Sequence, residues 1–313
     1  MPRLRRTQTV YITADPFFSP RGKVLHHFDQ FLEGIAESEF PCVWLTSLTR
    51  AQLDEPRRRL GQSDPYIGES GCGVYLPEDY FHLKSGKTIR LGRFTCIPVA
   101  KPQPAAAEAL EDLASELDVA VVPLRSLSQR ELSQNTGLPE GDAEHMRMRD
   151  FDELFFFAGA TDSDIANFAN QARLRGLTLQ NLGQFWSLSV GADIAKCIRE
   201  LGALYDRAMR AHLLRVAIAA GNWPSLAEAT AADPQIKALS SSCDRTLLLS
   251  EKQPAPGVDD EDAEDNYVAT GEAPESDAVA TRETLTVARP QGIFHLHTPD
   301  VWEELLTNIL AKP

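Results

Sequence analysis

Three short runs constrain this chain most: 9–13 (Thr-Val-Tyr-Ile-Thr), Cys42–Leu45 (Cys-Val-Trp-Leu) and 214–220 (Leu-Arg-Val-Ala-Ile-Ala-Ala). They are nearly free of charge and do not alternate apolar with polar. Strands of that kind are covered on both faces of a sheet, the condition of a parallel sheet with helices on either side. Helical patterns separate them. Residues 25–38 carry Phe28, Phe31, Leu32 and Ile35 at helical spacing, 51–60 read as a charged surface helix, and 191–204 as another helix. Tyr66–Gly68 reads as a third strand, followed by a glycine-rich turn and a strand at 74–76. Strand and helix in alternation predict an α/β fold, doubly wound and mostly parallel.

The middle of the chain has its own pattern. Helices are expected at 105–117, 128–135 and 162–175, the last with Asp162 as its cap, and strands at 153–158 and 184–189. This predicts a core at 7–82, a large inserted α/β unit at 83–188, and a return to the core at 189–313. The return has a strand at 214–220, a helix at 224–232, a short strand at 247–249, and a closing strand at 284–288. A last helix at 299–310 carries Trp302, Leu305 and Leu306 on one face.

The chain has 313 residues and a net charge of −14, unevenly spread. Residues 251–283 hold 11 acidic against 2 basic side chains, with Pro and Ala and few large apolar groups. Such a stretch, about 252–283, reads as a disordered acidic loop. Nothing offers a basic footprint for nucleic acid or an anionic membrane. Five cysteines stand singly, with no Cys-x-x-Cys, which argues against structural zinc. They read as reduced thiols in a cytoplasmic protein. Arg3, Arg5 and Arg6 precede a short strand-like run, unlike a signal peptide, and no apolar run is long enough to cross a bilayer.

Several segments resemble the mannosyl-3-phosphoglycerate phosphatase family of haloacid dehalogenase-like phosphatases. Residues 41–50 (Pro-Cys-Val-Trp-Leu-Thr-Ser-Leu-Thr-Arg) are similar to its second core strand, which ends in Thr-Ser-x-Thr-Arg. Residues 64–81 (Asp-Pro-Tyr-Ile-Gly-Glu-Ser-Gly-Cys-Gly-Val-Tyr-Leu-Pro-Glu-Asp-Tyr-Phe) look like its segment that begins Pro-Phe-Ile-x-Glu-Asn-Gly and ends Pro-x-x-Tyr-Phe. Residues 131–139, 148–155 and 183–188 resemble its cap segments, which a generic member of the superfamily would lack. The resemblance implies a haloacid dehalogenase-like core with an inserted cap, and a site at the carboxyl ends of the core strands.

It also implies a chemistry: a nucleophilic aspartate, a second aspartate two residues on as general acid and base, a Thr or Ser and a Lys on the phosphoryl oxygens, and acidic ligands for Mg²⁺. The first motif fits 10–20 (Val-Tyr-Ile-Thr-Ala-Asp-Pro-Phe-Phe-Ser-Pro) in three registers. With Asp15 as nucleophile, the acid/base falls on Phe17 and the motif's threonine on Ser19. Alternatively Ala14 takes the nucleophile's place and Pro16 the acid's, or Asp15 is the acid/base and Thr13 stands at the nucleophile. The first register gives the strand its full length, and in each at least one aspartate is missing. Thr46 matches the phosphate-binding hydroxyl, with Ser47 beside it. The lysine falls on Ile194, and Lys196 lies about 200° further round a helix. The metal aspartates fall on Asn222 and Leu226, leaving Asp15 and Asn222 as the metal candidates. Substrate contacts would come from Ser47, Arg50, Arg149 and Glu153.

Plainer readings compete. Asp15 can cap a turn before Pro16, and Gly68–Gly73 makes a tight turn more readily than a phosphate cradle. His295 and His297 lack a third ligand and suit an edge strand, while His26 and His27 read as structural. Phe17, Phe18, Trp186 and Trp223 fill space by default. Two functions are compatible with these residues. One is a non-catalytic relative binding a small phosphorylated or glycosylated glycerate-like ligand, or a protein partner. The other is an active Mg²⁺-dependent phosphatase forming an aspartyl phosphate on Asp15.

Overall fold

The uncharged runs lie side by side at the centre of a nine-stranded sheet. The computed structural model describes residues 8–19, 23–81, 88–252, 292–298 and 300–310. The acidic stretch beyond residue 252 and the strand expected at 284–288 lie outside these. In chain order the first part holds β1 (Gln8–Thr13), α1 (Phe28–Glu37), β2 (Cys42–Leu45), α2 (Arg50–Arg59), β3 (Tyr66–Gly68), β4 (Gly73–Pro77), β5 (Ile89–Leu91) and β6 (Phe94–Pro98). Next come α3 (Gln103–Leu117), β7 (Val121–Pro123), α4 (Gln129–Thr136), α5 (Glu140–Arg147), β8 (Glu153–Phe157), α6 (Asp162–Leu174), β9 (Leu177–Asn181) and β10 (Trp186–Val190). The last part holds α7 (Ile194–Met209), β11 (Leu214–Gly221), α8 (Leu226–Ala232), α9 (Pro234–Ser242), β12 (Arg245–Ser250), β13 (Ile293–His295) and α10 (Val301–Leu310).

The large sheet runs β13-β12-β11-β1-β2-β3-β4-β6-β5. Pairings from β13 to β3 are parallel, and those of β4, β6 and β5 antiparallel. Side chains alternate across it as strand geometry requires. Val10, Ile12 and Trp44 face a core shared with α1 and α10, while Tyr11, Val43 and Leu45 face α7. Helices therefore cover both faces, as the doubly wound expectation demands.

The second sheet, β7-β8-β10-β9, is antiparallel throughout. Phe155 and Leu188 pack under α3 and α6, and Leu154 lies on the other side with Leu132 of α4 and Ala143 of α5. The residues of β5 and β6 fall within the range expected for the inserted unit, but these strands pair onward from β4 in the large sheet. Short strands with exposed residues give weak patterns, and Ile89 and Arg90 are exposed. Helix α6 is capped by Thr161, not Asp162. The Thr161 hydroxyl accepts from the Asp164 amide and the Asp164 carboxylate accepts from the Thr161 amide at 2.9 Å, a reciprocal box. Helices α5 and α9 and strands β7 and β9 have no counterpart in the expectations.

His295 ends β13 at the sheet edge, its Nδ1 2.7 Å from the Lys252 carbonyl, and the rings of His26 and His297 stand 6.1 Å apart. Among the described residues, no group of three or more His, Cys, Asp or Glu is placed to hold a metal, and no helix is long and apolar enough to cross a membrane. All five cysteines are buried and none forms a disulfide.

Beyond β1 the chain turns into the core. Phe17 is fully buried, stacked on Phe28 at 4.3 Å with Trp302 of α10 at 5.7 Å. Trp302 is fixed in turn by its indole N–H, which donates to the His26 carbonyl at 2.7 Å. Phe18 tilts against Trp44 at 5.2 Å. These rings fill space, and Phe18 also lines a cavity between the two sheets. Replacing Phe17 by Ala should cost about 3–5 kcal/mol of stability, read from the urea midpoint.

Candidate functional site

Asp15 and Thr46 meet because β1 and β2 are parallel neighbours that end at the same level. Thr13 pairs with Leu45, and the Ala14 amide donates to the Leu45 carbonyl at 2.8 Å. The chain then makes a single 3-10 turn, Asp15–Phe17, and the Asp15 carboxylate swings across to the end of β2. The Thr46 hydroxyl donates to its Oδ1. The Ser47 amide donates to Oδ2 at 2.9 Å and to Oδ1 at 3.2 Å. Thr49 and Gln52 then form a capping box that starts α2. Ser19 closes its own small turn, its Oγ accepting from the Lys23 amide at 3.0 Å.

The loop after β3 ties this end of the sheet to the second unit. Glu69 and Ser70 both have positive φ, 46° and 56°. That conformation, unusual for side-chain-bearing residues, turns the fully buried Glu69 carboxylate toward the segment leading into β8. There it accepts three successive amides: Asp150 at 2.9 Å, Phe151 at 2.8 Å and Asp152 at 3.2 Å. Asp150 pairs with Arg50 at 3.3 Å and accepts from the Tyr75 hydroxyl at 3.1 Å. Asp152, fully buried, holds the Arg149 guanidinium through both its oxygens and accepts from the Ser187 hydroxyl at 2.6 Å. Arg149 also donates to the Ser47 carbonyl at 2.9 Å.

Between the two sheets lies a cavity of about 1170 Å³. Asp15, Ser19, Ser47, Arg50 and Arg149 line it, with Met146, Leu154 and Phe185 on its apolar side. Thr46 reaches the same place through Asp15. Six expected site residues therefore converge. Arg149, however, has a side chain only 4% exposed, and it is fully engaged by Asp152 and Ser47. It braces the peptide between Ser47 and Leu48; it does not stand free for a ligand.

Glu153 does not join them. Leu154 faces the cavity, so its neighbour in the strand faces away. Glu153 meets Gln103 and, at 3.3 Å, Arg125. Asn222 is exposed at the end of β11. Ile194 opens α7 and packs against Gly71, where an added Cβ would lie 2.5 Å from its Cγ1. Leu226 is buried with Ala219, Ile236 and Leu248, and Lys196 is exposed. These residues do not fit Mg²⁺. A hard divalent ion wants several oxygen ligands, chiefly carboxylates. Here both Asp15 oxygens are occupied, Asn222 offers one neutral oxygen, and Ile194 and Leu226 offer none. Sequence reasoning did not single out Glu69, Asp150, Asp152 or Ser187. The one signal for them is a charged residue between two uncharged strands, at position 69 within a segment already matched to the family.

Two carboxyls are pushed up from their ordinary value near 4.5. Burial raises Glu69 to about 8, helped by the Asp152 charge and opposed by Arg149 and the Asp150 amide. Burial raises Glu153 to about 7, opposed by Gln103 and Arg125. The folded chain therefore keeps protons that the unfolded chain has already released, and stability falls as pH rises between about 5 and 8. Urea midpoints should be lower near pH 8.5 than near pH 5.5, and Glu153→Gln should reduce the drop.

No family model matches the chain. Among curated proteins it is similar to a glucosyl-3-phosphoglycerate/mannosyl-3-phosphoglycerate phosphatase of Methanococcoides burtonii, 25% identical over 174 residues, which are 56% of this chain and 64% of that protein. The chain thus spans just under two thirds of that relative's length. A phosphatase of the same description from Persephonella marina is 23% identical over 195 residues, 59% of this chain and 70% of that one. A crystallised protein of Thermoplasma acidophilum shares the fold with a TM-score of 0.50 at 14% identity, covering 78% of this chain and 85% of its own.

Proposed function

We propose that this chain, whose fold is haloacid dehalogenase-like and whose sequence resembles the mannosyl-3-phosphoglycerate phosphatases, is a non-catalytic relative of those enzymes. In this reading it keeps the core and the inserted cap. It binds a small glycerate-like ligand, glycosylated or phosphorylated, in the cavity without hydrolysing it. One observation carries the reading: Asp15, the surviving candidate nucleophile, is tied by Thr46 and Ser47, while Ile194 and Leu226 stand in the core.

The chemistry supports it. Attack by an Asp15 oxygen on phosphorus breaks the ester bond and leaves an alkoxide that needs a proton. In the register with Asp15 as nucleophile, the proton donor's place is Phe17, which has none to give. Loss of a general acid alone costs roughly 10²–10⁴-fold. Loss of the fixed cations is graver, because phosphoryl transfer relies on electrostatic stabilisation of the phosphoryl oxygens. A cytoplasmic location belongs to the same reading, supported by five cysteines outside any disulfide.

The second reading, a phosphatase acting through an aspartyl phosphate on Asp15, has one observation in its favour: Asp15 lines the cavity. Incubation with mannosyl-3-phosphoglycerate and Mg²⁺ separates the two. The expected outcome is no phosphate release, with a ligand-dependent rise in melting temperature that persists in chelator. Phosphate release that Asp15→Asn abolishes would overturn the non-catalytic reading.

A further inference from the structure

The hydroxyl that the resemblance assigns to a phosphoryl group, and the backbone amide beside it, are already in use. The Thr46 hydroxyl has one proton, and it goes to Asp15 Oδ1. The lone pairs of the same oxygen are turned elsewhere by the Leu48 amide, which donates to it at 3.1 Å. The Ser47 amide is shared between both carboxylate oxygens, at 2.9 and 3.2 Å. Asp15 is therefore held as an external oxyanion would be, by a hydroxyl and a backbone amide converging on two oxygens of one anion.

The seat is pinned from behind. The Thr46 amide donates to the Ile67 carbonyl at 3.1 Å, and the Thr46 carbonyl accepts from the Ser70 amide at 2.9 Å. The Ser47 carbonyl accepts from Arg149, and the N–H of that same peptide, on Leu48, donates to the Thr46 hydroxyl, so a fixed guanidinium braces the peptide that orients the hydroxyl. Asp15 and Ser47 both line the cavity, so the seat opens onto space a ligand can reach.

We propose that Asp15 is an internal anion that fills the oxyanion seat at Thr46 and Ser47, and that its removal opens this seat to inorganic phosphate. The proposal rests on reading Thr46 and Ser47 as a former phosphoryl seat. It bears on how the intact protein holds a ligand. A phosphate monoester, with about two negative charges, meets a carboxylate already satisfied at this seat. A phosphorylated ligand of the cavity then keeps its phosphoryl group clear of Thr46.

Binding of inorganic phosphate to the intact chain and its variants, by titration calorimetry, tests this. Asp15→Ala should bind phosphate roughly tenfold or more tightly than the unchanged protein, since two charge-assisted hydrogen bonds become free. Asp15→Asn keeps the side chain's bulk and one accepting oxygen, so its gain should be smaller but of the same sign, and it serves if Asp15→Ala fails to fold. Adding Thr46→Val to either variant should cancel the gain. Phosphate binding equal in all forms, or weakened by loss of Asp15, would overturn the proposal. Neither result touches the non-catalytic reading, which stands or falls on phosphate release by the unchanged chain.

Discussion

The carboxylate of Glu69 fastens the two halves of the cavity to each other. It receives three consecutive backbone amides, 150 to 152, on the approach to β8. Left without an acceptor in this buried place, each amide would cost about 1–3 kcal/mol. Their convergence on one side chain sets the path of that segment, and much else depends on the path. Asp150 comes within reach of Arg50 and Tyr75. Arg149 comes to the Ser47 carbonyl, and Asp152 keeps it there. Through Ser47 the chain of contacts runs on to Asp15. The site is thus a junction between core and cap, and its geometry depends on both being in place.

The core of the fold was legible because its central strands are nearly free of charge on both faces. β2 and β3 appear at the residues read for them, and β1 and β11 within one residue. What escaped was short or polar. β9 is half-exposed along most of its length, and β5 and β6 are joined by a tight turn at the sheet's antiparallel end, with no helix between them to mark them as separate strands. The meeting of Asp15 with Thr46 came from two parallel strands. The role of Glu69 was hidden, because it depends on a positive φ that neither composition nor spacing reveals. Glu153 was misplaced for a related reason: a motif gives a position along the chain, and only the pleat of β8 decides which face that position takes.

The residues at the positions that the resemblance assigns to charged groups are engaged elsewhere. Ile194 belongs to the core under α7, Leu226 to the core under α8, and Asp15 to a closed set of hydrogen bonds. Each of the three is satisfied where it stands.

Phe17 has the longest reach of these. Its ring lies against Phe28 and against Trp302, a residue of the last helix that the structure describes. In the register that places the nucleophile at Asp15, position 17 is where the resemblance puts a proton donor. A carboxyl group there would be buried among these rings, at a cost in stability. A substitution at position 17 therefore disturbs packing that reaches from the end of β1 to α10, so that any change of chemistry at this residue is also a change in the core.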